Sequence, residues 1–228
     1  MKIAILGTGM VGQAIAGKMS SLRHTVYMGT RNAEETKLRQ DVNRRTGISF
    51  AEWHKNYPDV EVVNYENLPS DSGLFVNAAS GYASLEALKK VGREKFKNKT
   101  LLDISNPLDF SKGMPPSLFV CNTDSLAEQI QREFPDSKVV KSLNTMNCLI
   151  MMNPSLIPGD HSVFLSGNDS DAKAEVRSLL NSVGWKDSNI IDLGDITTAR
   201  SAEMILPIWL RLLSAFNSAD FNFHIVRK

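Results

Sequence analysis

Along the chain, short runs of aliphatic residues alternate with stretches in which apolar positions recur every three or four residues. A parallel sheet with crossover helices produces this switching between two periods. Residues 3–6 (IAIL) read as the first strand, and Val11, Ile15, Met19 and Leu22 then share one face of a helix. Residues 24–28 read as a second strand, with His24 at its entry. A helix should follow, capped by Asn32 with Glu35 as its capping-box partner and ending near Gly47. Residues 48–59 have no regular period and read as a surface excursion with Trp53 and Tyr57 turned inward. Further strands are expected at 60–63, 74–77, 101–104, 118–121, 139–143, 162–166 and 189–193. Helices are expected at 84–91, from a cap at Thr123 or Asp124 to about 134, and from a cap at Asp169 to Gly184. A Pro-rich loop covers 107–116. A long last helix, 198–218, should bury Ala202, Ile205, Leu206, Trp209, Leu212, Leu213 and Phe216, with a kink at Pro207.

The 228 residues, 42% of them hydrophobic, suffice for one large α/β domain or a domain plus a small extension. The expected division is 1–145 as the nucleotide-binding unit and 146–228 as an extension packed on it. Lys and Arg number 26 against 25 Asp and Glu, a balance that gives no electrostatic reason to expect nucleic acid or an anionic membrane surface. No apolar stretch approaches the length of a membrane span. The N-terminal aliphatic run is cut off at once by glycine, which suits a strand and not a signal peptide. Cys121 and Cys148 are too few for a disulfide scaffold or a zinc site and read as thiols of a reducing cytoplasm. The histidines at 24, 54, 161 and 224 show no ligand spacing, so no metal is expected.

Gly7-Thr8-Gly9-Met10-Val11-Gly12 is a G-x-G-x-x-G segment. Alone that pattern is weak. Here it follows a buried strand and opens an amphipathic helix, the context in which it seats a dinucleotide. Gly7 permits the tight turn, Gly9 lets a pyrophosphate reach the backbone, and Gly12 lets the helix pack against the strand. The unpaired N–H groups and dipole of the helix start then face the phosphates. The expected fold is therefore α/β, of the Rossmann type. It is a doubly wound, mostly parallel sheet with a small C-terminal α/β extension ending in a long helix.

The end of the second strand chooses between dinucleotides. An NAD site needs an acid there for the ribose hydroxyls. This chain has Gly29-Thr30-Arg31-Asn32, and no carboxylate before Glu34. Thr30 can donate to a 2′-phosphate, Asn32 lies beside it, and Arg31 can pair with the phosphate or stack on adenine. The expected cofactor is NADP(H). The ends of later strands should line the same crevice: Ala78-Ala79-Ser80-Gly81, Ser105-Asn106-Pro107 and Asn144-Thr145. Small residues there suit close approach of a ribose or nicotinamide, and Asn106 and Asn144 can bond the ribose or the carboxamide.

Six segments in order, KIAILGTGMVGQAIA, GTRN, LLDISNPLDF, KVVKSLNTMN, VFLSGND and IIDLGDITTARSAE, resemble the NADP oxidoreductases that act on the deazaflavin coenzyme F420. The chain is also similar to the NADPH domain of the transmembrane metalloreductases. The resemblance covers essentially the whole chain, with residues 40–60 standing as an insertion relative to compact members. It implies direct hydride transfer between nicotinamide and a flavin-like ring, with a flavin or deazaflavin as co-substrate. It further implies that Thr8, Gly9, Met10 and Val11 contact pyrophosphate and that Thr30, Arg31 and Asn32 contact the adenosine phosphate. Ala79, Ser80 and Asn144 would lie near nicotinamide. The 107–116 loop, with Pro107 and Met114, and the last helix, with Leu206, would shape the acceptor pocket. Small residues at 78–81 stand where the family is expected to carry a proline-containing turn.

Two other functions fit the residues. A small-carbonyl or imine reductase of the β-hydroxyacid dehydrogenase kind would use a helix lysine as proton donor, but 198–227 contains no lysine. A non-catalytic NADPH-binding sensor or partner subunit would bind the cofactor and turn nothing over. The apolar face from Met204 to Phe216 reads as core, with a homodimer interface as the other reading.

Overall fold

The computed structural model describes residues 1–43 and 46–226. Among the described residues ten strands form in chain order: β1 (Lys2–Leu6), β2 (Thr25–Thr30), β3 (Glu61–Asn64), β4 (Leu74–Asn77), β5 (Thr100–Asp103), β6 (Leu108–Asp109), β7 (Ser117–Leu118), β8 (Lys138–Ser142), β9 (Val163–Gly167) and β10 (Ile190–Asp192). Eight of them make one sheet in the order β10-β9-β8-β5-β4-β1-β2-β3. The six strands from β3 to β8 are parallel; β9 runs antiparallel to β8, and β10 parallel to β9. The sheet therefore continues across residue 145, since β9 and β10 extend it.

The helices are α1 (Met10–Ser21), α2 (Ala33–Lys37), α3 (Phe50–Asn56), α4 (Gly81–Val91), α5 (Arg93–Phe96), α6 (Leu126–Glu133), α7 (Cys148–Met152), α8 (Ser170–Ser182), α9 (Ala199–Met204) and α10 (Leu206–Phe216). Strand side chains alternate between faces, so a strand covered on both sides is apolar throughout. In β1, Ile3 and Ile5 enter a core built with α1, α3, α7 and α8, whereas Ala4 and Leu6 enter one built with α4, α5, α6 and α9. The sheet thus has a helical layer on each face. Among the described residues, no helix is long and apolar enough to cross a membrane.

Several expectations are corrected. The helix capped by Asn32 stops at Lys37, well short of Gly47; residues 44 and 45, which it would have included, lie outside the described residues. After Lys37 no apolar stripe continues: Leu38 is exposed, and Gly47 takes φ +73° in a turn. The irregular stretch 48–59 contains α3, whose capping box pairs Ser49 with Glu52 and buries Trp53. That S-x-x-E signature was legible in the sequence.

Residues 118–121 add no strand to the main sheet. Ser117 and Leu118 instead pair with β6 in a two-residue hairpin, and the Phe119 ring stacks on Tyr82 of α4 with centroids 4.6 Å apart. Finally, α6 is capped by Ser125, because Asp124 is taken up by Arg132 at 2.7 Å.

The last helix does break at the proline. Pro207 occupies the first turn of α10, where its missing N–H costs nothing. Its apolar face is less covered than expected, since only Leu206 and Leu210 are buried in α10 and Phe216 is 59% exposed. The tail beyond it folds back, with the Ser162 N–H donating to the Phe223 carbonyl at 2.8 Å. Arg227, the last residue of the lysine-free stretch, lies outside the described residues.

Candidate functional site

At β1 the chain switches direction across the sheet, with β2 on one side and β4 on the other. A crevice forms at such a switch, beyond the carboxyl ends of the strands. Gly7 turns the chain there at φ +110°, and a Cβ on it would lie 2.6 Å from the Ala78 carbonyl oxygen. A Cβ on Gly12 would lie 2.0 Å from the Gly7 carbonyl oxygen. Gly9 differs: nothing lies within 4 Å of where its Cβ would be. It begins α1 with no side-chain cap and no acid in the first turn, so the N–H groups of that turn face open space. That unoccupied approach to a positive helix end fits a pyrophosphate.

The loop is braced from behind. Arg39 donates through Nη2 to the Thr8 carbonyl at 2.6 Å and through Nη1 to the Thr8 hydroxyl at 3.2 Å. Its guanidinium lies 5.0 Å from the centroid of the Phe50 ring in α3. Gln13 Nε2 gives the Thr8 carbonyl a second donor at 3.0 Å. The 40–60 excursion is therefore tied to the phosphate-facing loop.

A cavity of about 660 Å³ opens beside this loop on the α4 side. Gly7, Thr8, Gly9, Arg31, Ala78, Ala79 and Ser80 form part of its wall. Tyr65 and the α4 residues Ala83, Glu86, Ala87 and Lys90 complete it. Tyr65 and Lys90 were missed in the sequence, although 83, 86, 87 and 90 recur at helical spacing and mark a face. Burial pushes the Tyr65 phenol up, with the Arg31 cation opposing. No acid competes for Arg31 at the end of β2, because Glu34 is paired with Lys37 at 2.9 Å.

The other sequence candidates lie elsewhere. Thr30 is buried and 2.9 Å from the Thr36 hydroxyl; Thr36 donates to the Asn32 carbonyl, so the Thr30 proton goes to Thr36. The Asn32 side chain caps α2 by accepting from the Glu35 N–H. Met10 is exposed and Val11 half-buried on α1. Asn106 and Asn144 satisfy each other. Asn106 Nδ2 donates to the Asn144 carbonyl and Asn144 Nδ2 to Asn106 Oδ1, both at 2.9 Å. Asn144 Nδ2 also donates to the Ala202 carbonyl of α9 at 3.0 Å. Pro107 and Leu206 are buried, and Met114 stands 68% exposed in the β6–β7 turn.

Beneath these strand ends lies a buried ionic cluster. Lys141 of β8 contacts Asp103 of β5 at 2.8 Å and Glu203 of α9 at 2.9 Å, with all three side chains at most 1% exposed. Its ammonium also donates to the Ser105 carbonyl. Asp103 accepts from Asn77 Nδ2 at 2.8 Å and the Ser105 hydroxyl at 2.7 Å, and Glu203 accepts from the Leu126 and Ala127 N–H groups that open α6. Burial alone pushes the Lys141 amine down; the two carboxylates outweigh it and hold it above its ordinary value. Among the described residues, no group of three or more His, Cys, Asp and Glu could hold a metal ion.

Residues 2–107 match the family model described as NADP oxidoreductase, coenzyme F420-dependent. The chain is 51% identical to a candidate F420-dependent NADP-reductase from Arthrobacter sp. FB24, with all of each chain covered and a TM-score of 0.93. It is 25% identical to the metalloreductase STEAP3 of Rattus norvegicus over 91% of this chain and 38% of that protein. An imine reductase of Streptomyces aurantiacus, at 16% identity, 95% of this chain, 64% of that chain and a TM-score of 0.61, shares the fold alone. The chain spans less than half the length of the curated relatives it matches. Full-length identity to the Arthrobacter protein, together with the match over residues 2–107, shows that this chain belongs to the coenzyme F420-dependent NADP oxidoreductase family.

Proposed function

We propose that this protein transfers a hydride directly between NADPH and a deazaflavin or closely related flavin-like acceptor. The observation that carries the reading is the pairing, in one cavity, of an open phosphate cradle at Gly9 with the Arg31 guanidinium, which no ion pair holds among the described residues. In this reading Thr8, Gly9, Met10 and Val11 hold the pyrophosphate, Arg31 pairs with the 2′-phosphate, and adenine lies between Tyr65 and α4. Ala78, Ala79 and Ser80 leave room for the nicotinamide ribose. When bound, the two cofactors supply the chemistry, hydride passing between their ring carbons, and the protein supplies position and dryness. The Asn106–Asn144 pair shapes the nicotinamide end of the crevice and joins it to α9. Pro107, Met114 and Leu206 border the acceptor side.

The imine-reductase reading lacks its proton donor. Lys141, which lies under the crevice, is 0% exposed and held by two carboxylates, so it cannot reach a substrate. The exposed Ile208 and Phe216 of α10 suit a second copy of the chain as partner.

The experiment is stopped-flow oxidation of NADPH deuterated at the transferred position, with coenzyme F420, flavin mononucleotide, a ferric chelate and a small imine offered in turn. Turnover fastest with the deazaflavin, and deuterium recovered on it, is expected. Label lost to solvent would refute direct transfer. Tight NADPH binding with no turnover on any acceptor would establish the sensor reading instead.

A further inference from the structure

Thr30 and Asn32, expected to share the adenosine 2′-phosphate with Arg31, are both spent close to home. Thr30 gives its proton to Thr36, and the Asn32 side-chain oxygen caps α2. A phosphate monoester carries nearly two negative charges and three acceptor oxygens at neutral pH. A guanidinium fork meets two of those oxygens at most. A further donor is therefore wanted on the side of β2 that Arg31 occupies.

Side chains alternate along a strand, so position 31 continues the face of Tyr27 and Gly29, and Thr30 belongs to the other. Tyr27 packs into the core shared with α4, and Met28 into the opposite one. Tyr65 stands on the α4 side as well: it opens the short turn Tyr65–Asn67 after β3 and belongs to that same core. Gly29 makes its place, since a Cβ there would come within 3.0 Å of the ring Cδ1. Tyr65 is 8% exposed and lines the same cavity as Arg31. Its hydroxyl makes no hydrogen bond among the described residues, and it is not one of the solvent-excluded polar atoms that the fold leaves unpaired. It is a donor still open to a ligand. The Arg31 cation is near enough to oppose the rise that burial gives the phenol. The other charged groups of the wall stand on α4: Lys90, and Glu86 with Lys89 3.7 Å away.

We propose that the Tyr65 hydroxyl donates to the 2′-phosphate of NADP(H) beside Arg31, and so helps to select this dinucleotide over NAD(H). The ring bounds the adenine while the hydroxyl at its tip meets the phosphate, the part expected of Thr30. NAD(H) has no group at that point, so loss of the hydroxyl costs it nothing. The inference rests on the adenosine end lying in this cavity, as proposed above, and not on which acceptor takes the hydride.

The test is calorimetric titration of the full chain and of Tyr65→Phe, which keeps the ring and removes only the hydroxyl. The ligands are NADPH, NADH, 2′-phospho-ADP-ribose and ADP-ribose. Loss of a hydrogen bond to a charged group should weaken the two phosphorylated ligands about tenfold and leave the other two within about twofold of the parent. Equal losses for all of them, or none, overturn the proposal. Arg31→Ala is the reference in the same titration. If it discriminates and Tyr65→Phe does not, Tyr65 alone loses its part. If neither discriminates, the 2′-phosphate lies elsewhere and the placement of the adenosine end falls too. The phosphorus-31 spectrum of bound NADP gives a second measurement: the 2′-phosphate resonance should move between parent and Tyr65→Phe while the pyrophosphate resonances hold. An unmoved 2′-phosphate resonance also overturns the proposal.

Discussion

Arg31 and Arg39 approach the glycine loop from different elements and serve different ends. Arg31 stands at the end of β2 in the cavity wall and, in the proposed reading, pairs with the phosphate on the adenosine ribose. Arg31→Ala should therefore weaken NADPH and leave NADH almost unchanged, read by calorimetric titration of both. Equal losses would remove Arg31 from this role. Arg39 contacts the loop itself, through two bonds to Thr8. Hydrogen bonds from a charged donor are worth about 1.5–3 kcal/mol. Arg39→Ala should weaken NADPH and NADH alike, by about tenfold or more, in the same titration. A loss confined to NADPH would mean that Arg39 reads the 2′-phosphate. The sequence singled out Arg31 by its position after β2. Nothing in it distinguished Arg39, because the reach from residue 39 to residue 8 is made by the fold alone.

At the scale of the element, the strand–loop–helix unit separates two functions of glycine. Gly12 is a packing position with a neighbouring carbonyl 2.0 Å from any added Cβ, whereas Gly9 borders open space. Gly12→Ala should force α1 away from β1 and lower the melting temperature, since overpacking costs about 1–3 kcal/mol. Gly9→Ala should melt as the parent does and yet lose dinucleotide affinity, because its methyl occupies the approach to the phosphates. Thermal melts and titration of the two variants side by side check this. A Gly9→Ala protein that binds normally would place the pyrophosphate elsewhere. The motif was legible because its requirements are local: a turn, a close contact and a helix start all fall within six residues. The boundaries of α2 and α3 were less legible. There the decisive events are an exposed Leu38, the diversion of Arg39 to Thr8 and a capping box at Ser49.

At the scale of the molecule, the Lys141–Asp103–Glu203 cluster joins β8, β5 and α9, and through Asn77 it reaches the end of β4. It fixes the floor under the crevice to the C-terminal helices. Removing one member of a buried ion pair leaves a charge uncompensated, at a cost of about 3–5 kcal/mol. Lys141→Met should show that loss in denaturant unfolding, whereas replacement of an exposed pair such as Lys186 with Asp160 should change little. The pH dependence follows from the direction of the shift. Lys141 is held above its unfolded value of 10.5, so the folded state binds its proton more tightly. The stabilisation is complete below that pH and is lost as pH rises through the folded value. Unfolding midpoints across the alkaline range should therefore fall in the parent and stay flatter in Lys141→Met.

Short-range physics determined what the sequence alone could show. It covers the alternation of strand and helix, the glycine loop, the acid-free end of β2, the cap at Asp169 and the proline break before α10. Each depends on residues a few positions apart, whose steric and hydrogen-bonding demands hold in any surroundings. Tertiary structure decided the rest, because proximity in space between distant residues has no signature in local pattern. Folding brought Arg39 and Gln13 to Thr8, set Tyr65 against α4, and turned Asn106 and Asn144 toward each other. It also assembled one lysine and two acids from three separate elements into a single buried cluster.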